Sequence, residues 1–249
     1  MDKSLSIVMP AYNESKSIET SLRQTMEACK RAPGKFEIIV VNDCSTDNTL
    51  EIAQRVAKEF PEIRVITNES NLGFGGAFRN GVMHAKLSYV VLQVADDAIG
   101  SESYGEIISH TGEADMIIPY LANPEVRGFA RRAVSWCYVN LINFLFGMNV
   151  RYYNGHNIFP TKAIQALHYT ESFAYMVEII LRMIRENGLS MNDSVPMYIK
   201  QRQDGQTKAF KMKNVISVVR TIASLFWRLQ IVGVETPAAS ESGRPVAKK

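Results

Sequence analysis

The chain has 249 residues, is 46% hydrophobic and carries a formal charge of +3, which suits a folded α/β-sized core and excludes a disordered chain. So small a net charge argues against broad nucleic-acid binding. Three cysteines, Cys29, Cys44 and Cys137, lack metal-type spacing and speak against a zinc site or a disulfide framework, so a reducing cytosol is the expected setting.

The N-terminal MDKSLSIVMPAYNE has an apolar run too short for a signal peptide and is read as mature protein. Leu5 to Met9 is predicted as a first strand, stopped at Pro10. The turn Ala11-Tyr12-Asn13-Glu14 leads into a helix that Asn13 or Ser15 would cap, with Ile18, Leu22, Met26 and Cys29 on one face. Phe36 to Val41 reads as a second strand. It ends in Asn42-Asp43-Cys44-Ser45-Thr46-Asp47, with Asp47 placed to cap the next helix. Arg64 to Thr67 is a third strand, and Asn71-Leu72-Gly73-Phe74-Gly75-Gly76 opens a helix running to about Ala85.

Tyr89 to Glu102, YVVLQVADDAIGSE, is the central stretch. Its short continuous apolar run suits a strand covered on both faces, and Asp96 and Asp97 follow at its C-terminal end. Open α/β sheets bind ligands beyond the carboxyl ends of their strands, and a carboxylate there suits a hard divalent cation shared with phosphate oxygens. The alternation of strands and helices predicts βαβ units and a mostly parallel sheet flanked by helices.

A helix to about His110 and a strand from Ala114 to Pro119 follow. Asn123 to Arg132 is polar, with Arg127, Arg131 and Arg132. Ala133 to Val150 is 18 residues without a charge, at the lower edge of spanning length. Trp136, Asn140, Asn143 and Gly147 form a less apolar stripe on it, so a buried or interfacial helix is expected. A further helix covers Phe173 to Glu186, and a short strand Val195 to Ile199.

Lys200 to Arg228 holds seven basic residues and one acid, Asp204, and includes Arg202-Gln203-Asp204-Gly205-Gln206-Thr207-Lys208. The helix after it is amphipathic, with Val215, Val219, Ile222, Phe226 and Leu229 on its apolar face; with its basic flanks it suits an anionic membrane surface. Glu235 to Lys249 is expected to be a disordered tail. The four histidines share no spacing; His156 alone stands near a motif.

Five stretches stand in order: SIVMPAYNE, EIIVVNDCSTDNT, NLGFGGAFRNG, VADD and RQDGQTK. Together they resemble the family 2 glycosyltransferases of the GT-A fold, most closely the dolichyl- or polyprenyl-phosphate sugar synthases of mannose type. The resemblance covers about residues 4 to 230. It implies a Rossmann-like, mostly parallel α/β sheet with C-terminal amphipathic helices, in one domain over 1–234. Residues 1–119 would form the nucleotide-sugar half and 120–234 the acceptor and membrane-facing half.

By the same resemblance, Pro10, Ala11, Tyr12, Glu14 and Asp43 would hold the nucleotide. An aspartate accepts hydrogen bonds from a base N–H, and Tyr12 offers a stacking face. Asp96 would bind Mg²⁺ or Mn²⁺ together with the diphosphate, and Asp97 would assist as a ligand or contact the sugar. Val94 departs from the family pattern, standing where the first aspartate of the DxD motif is usual.

Arg202 and Lys208, with Gly205 and Thr207, match a loop that clamps donor and acceptor phosphates, and Arg127 and Arg131 match more loosely placed phosphate contacts. The region Thr170 to Tyr175 lacks the Glu-Asp pair with which relatives deprotonate a hydroxyl acceptor, which favours an acceptor that is already anionic.

The resemblance therefore implies an inverting hexosyltransferase. It would move a sugar from a UDP- or GDP-linked donor to a polyprenyl or dolichyl phosphate, peripherally bound at the cytoplasmic membrane face, with room for a membrane partner subunit. Transfer to a glycan hydroxyl, or an inactive nucleotide-sugar-binding scaffold, are the alternative readings.

Overall fold

The computed structural model describes residues 2–31, 34–96, 98–170, 174–200 and 212–232. Its first half runs β1 (Leu5–Ala11), α1 (Ile18–Arg31), β2 (Phe36–Asn42), α2 (Thr49–Glu59), β3 (Ile63–Thr67), α3 (Gly73–His84), β4 (Tyr89–Leu92) and α4 (Ser101–Ser109). The second half adds β5 (Met116–Ile117), β6 (Tyr120–Leu121), α5 (Phe129–Phe146), β7 (Ile158–Pro160), α6 (Thr161–Ala166), α7 (Tyr175–Asn187), β8 (Met191–Asn192), β9 (Pro196–Met197) and α8 (Met212–Phe226).

Seven strands form the main sheet in the order β3-β2-β1-β4-β7-β5-β8. The first four are parallel, and β7 lies antiparallel between β4 and β5. The chain builds outward from β1 to β3, then crosses back so that β4 pairs on the other side of β1. That reversal opens a crevice at the carboxyl ends of β1 and β4, where open α/β sheets take ligands.

Both sheet faces are covered, which is why every residue of β1 is buried. Val8, Val41, Val90 and Phe159 pack with Phe78 of α3 and Ile180 of α7 on one face; Ile7, Met9 and Val40 pack with Leu22 of α1 and Tyr104 of α4 on the other. Close approach of α3 to the sheet requires Gly81. A Cβ there would lie 2.3 Å from Val8 Cγ1 and 2.9 Å from Val41 Cγ2.

Several local expectations need correction. Neither Asn13 nor Ser15 caps α1; the Glu14 carbonyl accepts from the Ser17 and Ile18 amides, and Asn13 is used elsewhere. The strand expected over Ala114 to Pro119 shortens to two paired residues, Met116 and Ile117. The antiparallel β7 and the short α6 were not anticipated, because Ile158–Pro160 is too short to declare a period.

The uncharged helix begins earlier than its composition suggests. It takes in Arg131 and Arg132 and ends at Phe146, where Gly147 at φ 59° supplies the left-handed cap. Of its residues Ile142 and Phe146 are buried, whereas Phe129 (82%), Trp136 (68%) and Phe144 (85%) are exposed, so the buried-helix alternative fails. No helix among the described residues is long and apolar enough to cross a membrane. The expected tail, 235–249, lies outside the described residues.

Candidate active site

The turns that follow β1 and β2 are laced together by side chains. Asn13 N donates to Ser45 Oγ at 3.1 Å, and Thr46 N donates to Asn13 Oδ1 at 2.9 Å. Glu14 N donates to Thr49 Oγ1 at 2.8 Å, and Ser15 N to Asp47 Oδ2 at 3.2 Å. Asp47 Oδ1 also accepts from Thr49 N at 3.0 Å, so Asp47 does secure the start of α2 as expected. Partial burial works against its charge, but hydrogen bonds from Thr49 and Ser15 prevail and bring its pKa down from 3.8 to about 2. Asn13 (φ 56°) and Cys44 (φ 60°) take left-handed backbone in these turns, a conformation that the lacing holds in place.

Asp43 sits just beyond β2, 2% exposed. Its Oδ1 accepts from Asn68 Nδ2 at 2.7 Å and from the Leu72 amide at 2.8 Å, while Asn71 Nδ2 donates to its carbonyl at 3.1 Å. The NLGFGG stretch thus serves as the bracket for Asp43 as well as the entry to α3. Pro10 and Ala11 are buried in β1 beside it, and Tyr12 (44% exposed) stands at the rim with its ring available. Glu14 is partly buried, and its Oε2 accepts from Ser17 Oγ at 2.8 Å.

Beyond β4 the chain turns through Val94, Ala95 and Asp96. Ser21 Oγ of α1 donates to the Ala95 carbonyl at 3.0 Å, and Ala98 N donates to Asp96 Oδ1 at 3.1 Å. Asp96 is half-buried at the mouth of the crevice. Asp97 lies outside the described residues.

Next to this turn is His156, the one histidine that stands near a motif and to which the sequence gives no role. His156 is 7% exposed; its Nδ1 lies 2.9 Å from the Leu92 carbonyl, and its ring meets Tyr104 edge-on at 5.6 Å. Burial lowers its pKa, opposed by the Leu92 bond and by the attraction of Asp96. No pattern in the sequence marks its role, because β7, which brings the chain just before it against β4, is too short to show a period.

On the second half, Arg127 lies over the Tyr152 ring at 5.6 Å and its Nη1 donates to the Tyr152 hydroxyl at 3.1 Å. Its buried Nε has no hydrogen-bond partner among the described residues. Arg131 is half-buried in the first turn of α5. Arg151, unnoticed in the sequence, stacks on Tyr120 at 3.3 Å. Glu178, buried in α7, accepts from Thr170 N at 2.9 Å and Thr170 Oγ1 at 2.6 Å, and so fixes the strand of chain leading to 171–173. Arg202 and Lys208, with Gly205 and Thr207, lie outside the described residues. Pro10, Ala11, Tyr12, Glu14, Asp43 and Asp96 therefore gather at the carboxyl ends of β1, β2 and β4.

Comparison with known proteins agrees with this architecture. A dolichyl-phosphate beta-glucosyltransferase of Trichomonas vaginalis is 37% identical over 105 residues, 40% of this chain and 31% of that protein. The dolichyl-phosphate beta-glucosyltransferase of Saccharomyces cerevisiae is 28% identical over 211 residues, 73% of this chain and 63% of its own length. The chain thus spans under two thirds of either relative. Glucosyl-3-phosphoglycerate synthase of Mycobacterium tuberculosis, solved with Mn²⁺, UDP and glucosyl-3-phosphoglycerate, superposes with a TM-score of 0.64 at 15% identity, over 90% of this chain and 79% of that one. That likeness shows the fold, a GT-A sheet flanked by helices. The profile of Glycosyl transferase family 2 matches residues 6–169, and the chain belongs to that family.

Proposed function

We propose that this protein transfers a hexose from a UDP- or GDP-linked donor to a polyprenyl or dolichyl phosphate, with inversion at the anomeric carbon. The observation that carries the reading is the convergence of Asp43, Tyr12 and Asp96 on the crevice at the β1–β4 reversal, in a chain with no sequence signature of a hydroxyl-deprotonating pair. The similarity to dolichyl-phosphate glucosyltransferases supports it. Residues 1–234 would act as one catalytic unit, since β5, β7 and β8 of the second half join the sheet of the first.

Asp43, held rigid by Asn68 and Leu72, would receive the base, with Tyr12 against its face. An acceptor phosphate oxygen would attack the anomeric carbon as the bond to the donor diphosphate breaks on the opposite side. Both are then held in line, and no proton has to be removed from the nucleophile. Arg127, Arg131, Arg202 and Lys208 would hold phosphate oxygens, arginine as a fork and lysine as a point charge.

Asp96 fits a divalent cation: a hard carboxylate donor at the end of a parallel strand, beside the place for the diphosphate. No group of three or more His, Cys, Asp or Glu side chains arranged for a metal occurs among the described residues, so the diphosphate and water would complete the shell. Mg²⁺ or Mn²⁺, when bound, would neutralise charge on the departing diphosphate.

The exposed apolar side chains of α5 and α8 support a peripheral place on the cytoplasmic membrane face. Phe226 meets Phe146 at 6.2 Å, and Gln230, in the helical turn Trp227–Val232 that follows α8, donates Nε2 to the Leu145 carbonyl at 3.2 Å, so this end of the chain packs against α5. Phe129, Trp136 and Phe144 of α5, Ile216 and Val219 of α8 and Trp227 just after it are exposed, as are Arg132 and Arg220 on the same helices. A membrane partner subunit would add to this anchoring.

The test is transfer from UDP- and GDP-sugars to polyprenyl phosphate in detergent with Mg²⁺ or Mn²⁺, comparing the native chain with Asp96→Ala and Arg202→Ala. A lipid-soluble product lost in both variants supports the reading. Metal-dependent nucleotide binding without product moves the weight to a glycan hydroxyl acceptor or, given Val94, to a non-catalytic scaffold.

A further inference from the structure

The metal reading leaves a deficit. Val94 offers no donor where the family pattern has a carboxylate. The structure brings a different donor to the same turn. His156 precedes β7, whose Ile158 pairs with Val91 of β4; continuing that antiparallel register sets His156 opposite the segment just past the strand.

Its Nδ1 faces the Leu92 carbonyl at 2.9 Å, and since a carbonyl oxygen can only accept, Nδ1 carries the hydrogen. A neutral ring so held presents its lone pair at Nε2. Nε2 has no hydrogen-bond partner among the described residues, in a side chain more than nine-tenths buried. Tyr104, packed edge-on to the ring, belongs to α4, which starts directly after the Asp96 turn. His156 therefore packs between the end of β4 and the first turn of α4.

A ring with one nitrogen bonded to a backbone carbonyl and the other left over is the arrangement in which histidine binds metals. We propose that His156 Nε2 is the second protein ligand of the divalent cation held by Asp96, replacing the donor lost at Val94. This rests on the metal reading given above. One nitrogen donor in an otherwise all-oxygen shell shifts preference from Mg²⁺ toward Mn²⁺.

The experiment uses the full chain with UDP or GDP and Mn²⁺. Calorimetry gives the Mn²⁺ affinity of the nucleotide complex, and electron spin echo modulation reports a nitrogen bound directly to the ion. The native complex is expected to carry the directly bound ¹⁴N signal. His156→Phe, which keeps the packing on Tyr104, is expected to lose it and to weaken Mn²⁺ binding by about tenfold or more. His156→Gln should keep the fold and lose the same signal, with thermal melting confirming that both variants are folded.

A native complex that binds Mn²⁺ with no directly bound nitrogen, or a His156→Phe chain that binds it at full strength, overturns the assignment and leaves Asp96 as the metal residue. Failure of the native chain to bind Mn²⁺ with either nucleotide overturns the metal reading and this assignment together.

Discussion

Asn68 holds Asp43 through a 2.7 Å hydrogen bond from its side-chain amide to the same carboxylate oxygen that accepts the Leu72 amide. Asn68 comes from the end of β3 and Leu72 from the entry to α3, so the residue proposed to read the nucleotide base is set by the neighbouring strand and helix. Removal of Asn68 leaves a buried carboxylate with one fewer donor. Asn68→Ala should weaken UDP or GDP binding by about tenfold, the size expected for a hydrogen bond to a charged group. Calorimetric titration checks this, and an unchanged affinity would make the pair merely structural.

Acid should loosen the nucleotide turns before it unfolds the sheet. Asp47 has its pKa lowered from 3.8 to about 2 in the folded chain. A depressed folded value means that its contribution is full above 3.8 and is lost as pH falls toward about 2. Asp47→Asn should therefore flatten the pH dependence of stability in that window and leave it unchanged near neutrality apart from a constant offset. Thermal melts from acid to neutral pH provide the measurement.

Glu178 and Arg182 are each 7% exposed at the side chain, with Glu178 bonded to Thr170 and Arg182 to Glu186 at 2.8 Å. Glu178→Ala leaves the Thr170 amide and hydroxyl without their acceptor and removes a carboxylate 3.8 Å from Arg182, which keeps Glu186 and the His168 carbonyl. Leaving buried donors unsatisfied costs about 1 to 3 kcal/mol, and that loss is expected in urea unfolding. Glu178→Gln, which still offers an oxygen to Thr170, should lose less.

The exposed aromatic side of α5 makes a distinct prediction. Trp136→Ser combined with Phe144→Ser touches residues that are 68% and 85% exposed and should leave the melting temperature nearly unchanged. The same pair should cut binding to vesicles rich in anionic lipid by about tenfold or more. Cosedimentation at two salt concentrations separates the contributions, since the arginine component is screened and the apolar one is not. Equal binding by the double variant would sink the membrane assignment of this helix.

The sequence by itself determined the first half of the molecule. Four short apolar runs alternating with helical periods dictate parallel strands, because a strand covered on both faces must be apolar throughout, and Asp43 and Asp96 follow from standing at the ends of such runs. The five ordered motifs made the family legible. Tertiary structure decided what pattern cannot encode. β7 is three residues long, too short to show a period, yet it sets His156 against the β4 terminus. Asn13 reads locally as a cap, but its side chain bonds across 33 residues to Thr46, a choice made by the packing of β1 on β2. Which side of α5 faces outward was likewise open, since an uncharged helix is compatible with either environment; it is settled by where the sheet, α7 and α8 leave apolar side chains uncovered.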